Sequence, residues 1–274
     1  MNPNAKPRTK KWLLLLIPII AMTACSGGGS VTPPAEPTVT PPSLPSSSPA
    51  NTAPPANVST PDQPRLTYDL PAPNTDGTVS VEKTLAGRRS QRQYSDEPIT
   101  LEQLSQILWA AYGISYPAPA TPNTAAPNTA SLRTAPSAGA LYPLEIYAVA
   151  GNVVGIEPGV YRYIAEEHKI EMTVEGDVRR QLCDAALGQA MVRQAPALLV
   201  YSGVFERTAA RYGERANRYV YIELGHSAQN VYLQTEALGL GTCAIGAFAD
   251  EDVRRILNLP ADEQPLYIMP IGYY

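Results

Sequence analysis

Tyr219-Val-Tyr-Ile-Glu-Leu-Gly-His-Ser-Ala-Gln-Asn-Val-Tyr-Leu-Gln-Thr-Glu-Ala-Leu238, preceded by the apolar run Ala197-Leu-Leu-Val-Tyr201, decides the fold. Val220, Leu224, Ala228, Val231 and Leu238 recur close to the helical period, so the segment predicts one long helix with an apolar face, stopped by Gly239. The run before it reads as a buried strand. Working outward, Leu144 to Val149 alternates as a strand. Gly159 to Tyr163 and Ile170 to Val174 read as two more, turning through Glu166-Glu167-His168-Lys169, which suggests antiparallel pairing. Val178 to Gln194 reads as a helix, Thr242 to Ile245 as a short strand, Asp250 to Leu257 as a capped helix and Leu266 to Ile271 as the last strand. On the N-terminal side, Ser80 to Leu85 begins a short helix. Thr100-Leu-Glu-Gln103 is a capping box, and Leu101, Leu104, Ile107, Leu108 and Ala111 form one face before Gly113 ends that helix. Ile114 to Arg133, rich in Pro, Ala, Asn and Thr, reads as a mobile loop. Long helical runs separate the strands, which favours an α+β domain, a central antiparallel or mixed sheet flanked by helices, over a doubly wound fold.

The 274 residues, 44% hydrophobic and 17% charged, suffice for one sizeable domain with appendages. A net charge of -4 offers no basic field for nucleic acid. Lys6, Arg8, Lys10 and Lys11 followed by the apolar run Trp12 to Met22 read as a signal peptide. About 11 residues of helix cover less than roughly 20 Å, short of a bilayer core of about 30 Å. Met22-Thr-Ala-Cys25 resembles the bacterial lipoprotein box, which implies diacylation of Cys25, and Ser26 after it resembles the outer-membrane variant. Residues 26–78, dominated by Pro, Ser, Thr, Ala and Asn, cannot bury enough apolar surface to offset their ordering entropy and read as a disordered tether. The expected organisation is therefore a signal peptide over 1–25, a tether over 26–78 and a folded domain over 79–274, on an exported protein anchored to the membrane of the cell envelope.

Three segments could carry chemistry. Arg88, Arg89 and Arg92, with Ser90 between them, place guanidinium forks and a hydroxyl at a helix end, the donor set that grips a phosphate; a solvated basic face would look the same. Arg133-Thr-Ala-Pro-Ser-Ala-Gly-Ala-Leu-Tyr-Pro143 strips side-chain bulk from the backbone, as a flat ligand needs and as a plain turn also allows. Leu238-Gly-Leu-Gly-Thr-Cys-Ala-Ile-Gly246 carries glycines without Walker or dinucleotide spacing. Two histidines without metal spacing argue against a zinc site: His226 is expected in the packed face of the long helix and His168 in an exposed turn. Cys183 and Cys243 are expected as buried thiols that an oxidising envelope would allow to bridge.

In this order the three segments, with Gly159-Val-Tyr-Arg-Tyr163, Ala186-Leu-Gly-Gln189 and Glu223-Leu-Gly-His-Ser-Ala-Gln-Asn230, resemble the nitroreductase-like FMN flavoproteins, most closely the branch of azoline-forming peptide dehydrogenases of the SagB and ThcOx type. The resemblance implies an intertwined homodimer with FMN at the subunit interface. It places Arg88, Arg89, Ser90 and Arg92 at the phosphate and ribityl group, Pro136, Ser137, Ala138 and Gly139 against the isoalloxazine, and the backbone around Gly239, Gly241 and Gly246 at its ring edge. A Lys-Tyr pair of that branch matches Arg211-Tyr212 here, and arginine, always protonated, cannot act as its general base. The resulting expectation is an FMN-dependent oxidoreductase passing electrons from a donor such as NAD(P)H to a nitro compound or quinone. The alternatives are an oxygen-using peptide dehydrogenase and a catalytically silent, lipid-anchored binding protein. A serine hydrolase is disfavoured, because Ser137 lacks the Gly-x-Ser-x-Gly elbow.

Overall fold

A computed structural model describes residues 65–117 and 131–274, which all fall in one compact unit. Cys25, the signal segment and most of the tether lie outside the described residues. Among the described residues no helix is long and apolar enough to cross a membrane.

The sheet is organised around Ala197–Gly203 (β9), buried at every position. Its neighbours are Leu144–Ala150 (β5) on one side and Gln264–Gly272 (β11) on the other. Gly159–Ile164 (β7) and Lys169–Glu175 (β8) continue the sheet beyond β5. Thr67–Asp69 (β1) and Gly241–Thr242 (β10) close its two ends, giving seven strands in the order β1-β8-β7-β5-β9-β11-β10 with every pair antiparallel. Alternation then sorts the side chains between two cores. Leu199 and Tyr201 join the cluster that contains the helices Leu101–Tyr112 (α2) and Ala216–Ala237 (α6), while Leu198 and Val200 join the one under Arg179–Ala185 (α3), Ala190–Gln194 (α4) and Asp250–Leu257 (α7). Burial of both faces explains why the β9 run is continuously apolar.

The predicted α+β architecture is observed, and Thr100 with Gln103 forms the complete box ahead of α2, as read; Ser80 Oγ also accepts from Lys83 N ahead of Val81–Gly87 (α1), whereas Asp250, expected to cap α7, is its first residue, and the N-cap Ala249 makes no side-chain bond. Helix α6 buries Val220, Leu224, Ala228 and Val231 as its period requires.

Other expectations are corrected. The folded unit begins before residue 79, because β1 pairs with β8 from within the stretch read as tether; Tyr68 packs its ring edge-on to Tyr161, apolar contact that the Pro-rich surroundings concealed. The helix predicted from Val178 to Gln194 is two, broken where Leu187 (φ 58°) and Gly188 (φ 73°) turn left-handed. A further helix, Phe205–Tyr212 (α5), runs before α6. Within the predicted loop, Ile114–Tyr116 (β3) pairs antiparallel with Leu132–Arg133 (β4). Two short strands, Ile99–Thr100 (β2) and Val153–Val154 (β6), pair parallel. His226 is exposed rather than packed. His168, expected in an exposed turn, is half-buried, its ring held by Ser105, Tyr163 and the Pro71 carbonyl. Cys183 and Cys243 are buried as expected, and both are free.

Candidate functional site

The arginine turn and the glycine turn meet on α6. Ser90 pairs with Thr242 as an isolated parallel bridge, and Gln91 N donates to Thr242 O at 2.9 Å. Tyr232 of α6 locks the junction: its hydroxyl shares a hydrogen bond with Ser90 Oγ at 3.2 Å and accepts from Ala244 N at 2.8 Å, while the Arg88 guanidinium lies 5.4 Å from its ring centre. Cation and ring attract at that distance. Thr242 Oγ1, alongside, is buried without a hydrogen-bond partner.

The three arginines divide by role. Arg89 turns back on α1 and donates to the carbonyls of Ala86, Gly87 and Arg88. Arg88 and Arg92 have no carboxylate partner among the described residues, and Arg92 makes only a long bond of 3.4 Å to Ser90 O. Two guanidinium groups thus remain open to an anion beside the Ser90 hydroxyl.

The glycines divide too. Gly239 (φ 70°) terminates α6, where Leu240 N reaches back to Thr235 O at 2.8 Å. Gly241 is bare because a β-carbon would stand 2.7 Å from Tyr274 and 2.6 Å from Gln91, so protein and not ligand makes that close approach. Gly246 has space: its β-carbon would meet nothing nearer than Tyr267 at 3.5 Å.

The small-residue segment is held from beneath by a polar cluster. Glu223 of α6 is 2% exposed, accepts a very short hydrogen bond from Tyr112 and another from Ser137, and faces the charge of Arg133. Burial pushes the Glu223 carboxyl above the ordinary carboxylate range, against the pull of these donors. Ser137 Oγ also accepts from Tyr142 N at 2.9 Å, and Arg133 stacks between the Tyr112 and Tyr142 rings at 4.4 and 4.9 Å. Asn230 Nδ2 donates to Thr134 O at 3.3 Å, fixing the same segment to α6. The result is a shelf, Pro136 to Gly139, anchored by contacts that sequence reading did not assign. Gly139 (φ 67°) ends this shelf against α5: the place a β-carbon would take is 2.9 Å from both Arg211 Nη1 and Tyr212 Oη. The structure therefore joins the predicted pair Arg211 and Tyr212 to the shelf, and joins Arg88 and Ser90 to the glycine turn. Sequence reasoning missed Tyr232; a tyrosine one position beyond the apolar stripe of α6 was the available signal.

A helix-covered antiparallel sheet, with an open arginine turn and a small-residue shelf hung on one long helix, is the scaffold of a nitroreductase-like α+β protein. Residues 85–273 match the family described as "Nitroreductase family". A protein of Methanocaldococcus jannaschii described as "Putative nitroreductase" is 45% identical over 194 residues, 71% of this chain and 91% of that one. The trifolitoxin-processing protein TfxB of Rhizobium leguminosarum bv. trifolii is 30% identical over 132 residues, 46% of this chain and 35% of that protein. The crystal structure of a protein from Anabaena variabilis, described like the first, superposes with a TM-score of 0.64 at 29% identity; the match covers 76% of this chain and 42% of that one, less than half its length. The chain belongs to the nitroreductase family and is an oxidoreductase of that family, related to its SagB-type branch.

Proposed function

We propose that this protein holds FMN and works as a homodimer, moving a hydride or electrons from a donor such as NAD(P)H to a small organic acceptor, a nitro compound or a quinone. The observation that carries this reading is the junction at Tyr232, where Arg88, without a carboxylate partner among the described residues, stands by the Ser90 hydroxyl and the Thr242 hydroxyl, which has no hydrogen-bond partner among them. These donors fit a phosphate, which arginine grips through paired N–H groups. Arg88, Arg92 and Ser90 would hold that end of the cofactor. Pro136, Ser137, Ala138 and Gly139 would face the ring, near the open backbone at Gly246. The bound flavin would supply the two-electron exchange; the chain would bind it, orient it and exclude water.

One feature supports a dimer: helix α6 exposes Tyr221 (54%) and Ile222 (49%), apolar surface suited to a second copy.

The likeness to a trifolitoxin-processing protein favours a second reading, oxygen-dependent dehydrogenation of a peptide. Arg211 weighs against it, since arginine does not give up its proton. For location we propose export and lipid anchoring at Cys25, as the sequence motif suggests; loss of labelled palmitate incorporation in Cys25→Ser would support it, and unchanged labelling would refute it.

The test of the main reading is to purify the full chain with FMN, desalt it and record its absorbance and its mass in solution. A yellow chromophore near one per chain, diminished in Arg88→Ala and in Arg92→Ala, is the expected result for a dimer. A colourless folded protein would overturn the reading.

A further inference from the structure

Resting on the proposed oxidoreductase site, we infer that Arg211 and Tyr212 form a clamp for the acceptor substrate, selecting molecules that carry a planar two-oxygen group, a carboxylate or a nitro group. The geometry begins at Gly139. The place a β-carbon of Gly139 would take lies 2.9 Å from both Arg211 Nη1 and Tyr212 Oη, so the two polar tips are neighbours, packed against the end of the shelf. Glycine favours this arrangement, because a β-carbon would push both tips aside and the backbone is left-handed at φ 67°.

Neither tip is engaged by the protein. Arg211 is exposed and makes no ion pair or hydrogen bond among the described residues, although Glu206 and Glu214 flank it in the chain. The contrast is Arg207, one helical turn earlier, which binds Glu145 at 2.6 Å and donates to Tyr142 O at 3.0 Å. The Tyr212 hydroxyl likewise has no partner among the described residues, while its ring is fixed edge-on to Tyr219 at 5.0 Å and lies 5.5 Å from the Arg211 guanidinium. A phenol packed edge-on to Tyr219 and an unpaired guanidinium therefore lie close together against Gly139, each with its polar tip unused by the described residues.

The donor set decides the ligand class. A guanidinium presents parallel N–H groups that match two oxygens on one atom, and a phenol adds a third donor. Carboxylate and nitro groups both offer that pair of oxygens in a plane; an amide or an alcohol does not. The carboxylate, being charged, should be held the more tightly.

The test is direct binding, read by ligand-observed NMR titration of the purified full chain with benzoate, nitrobenzene and benzamide. Benzoate is expected to bind about tenfold more tightly than benzamide, the size of a charge-assisted bidentate contact at a solvated site. Arg211→Ala should erase that preference and Arg211→Lys should keep part of it. Tyr212→Phe should weaken it a few-fold, and Arg215→Ala, which changes a neighbouring exposed charge, should leave it intact. If Arg211→Ala weakens nitrobenzene but not benzoate, the nitro group is the recognised form. No binding of any of the three, or binding of both benzoate and nitrobenzene that is unchanged in Arg211→Ala, would overturn the clamp. Flavin absorbance of the same samples separates the two failures: normal flavin with either of these results sinks the clamp alone, and a preference without flavin sinks the cofactor reading alone.

Discussion

The Tyr232 hydroxyl stands 3.2 Å from Ser90 Oγ and 2.8 Å from Ala244 N, so a single side chain of α6 ties the arginine turn to the glycine turn. Tyr232→Phe removes both contacts and leaves the Ala244 N–H without its acceptor. The expected loss is about 1 kcal/mol in urea unfolding, at the lower range for a partly buried orphaned donor. Flavin retention after desalting should fall with it; unchanged retention would show that the turns keep their places without the tyrosine.

Gly139→Ala tests the shelf. The left-handed backbone alone costs roughly 1 kcal/mol for a residue with a β-carbon. The new methyl must also displace Arg211 and Tyr212, so benzoate should lose its advantage over benzamide although both donors are still present. Full retention of the preference would show that the two tips need not converge at this point.

Glu263 carries a pH dependence. It is 2% exposed, accepts from Tyr147 Oη at 3.0 Å and Ser202 Oγ at 2.5 Å, and is pushed above the ordinary carboxylate range first by burial, with Glu145 adding to the effect. A raised carboxyl binds its proton more tightly folded than unfolded, so stability falls as pH rises from about 4.5 through the raised value. In Glu263→Gln that decline should be shallower, with the share from Glu223 remaining, and the variant should gain on the parent between pH 4.5 and 7. Parallel urea midpoints across this range would refute the assignment.

His168 works in the other direction. Its Nε2 lies 3.0 Å from Pro71 O and 2.9 Å from Ser105 Oγ, and its Nδ1 lies 2.9 Å from Tyr163 Oη. The neutral ring protonated on Nε2 satisfies all three, donating to the carbonyl and accepting from the phenol. Burial lowers its pKa below the ordinary histidine value. Its contribution is complete above about pH 6.5 and is lost as pH falls through the lowered folded value. Thermal midpoints of the parent should therefore drop more steeply below pH 6.5 than those of His168→Gln; coincident slopes would refute it.

The elements with a strong local signal were legible. Thr100 with Gln103, and the spacing of Val220, Leu224, Ala228 and Val231, announce α2 and α6 because capping and period are properties of neighbours in the chain. The break at Leu187 was not legible, since a left-handed leucine has no preference that would mark it. Strand β1 was hidden because its partner, β8, supplies the reason for it to be extended. The site shows the same divide. The arginine turn could be found from composition, but which arginine turns back on its own helix depends on the carbonyls at the end of α1. The meeting of Gly139 with Arg211 and Tyr212 depends on a fold that brings together residues more than seventy positions apart.

Strand β1 also bears on where this molecule can be cut. Its three residues cover the backbone of Lys169, Ile170 and Glu171 on β8, and Leu70 N adds a bond to His168 O at 3.0 Å. A shortened form starting at residue 79 would strip that cover and present an unpaired sheet edge to other copies, a template for edge-to-edge aggregation. A form that starts ahead of Arg65 would keep the edge blunted by a strand only three residues long, and would keep the Arg65–Glu171 ion pair at its margin.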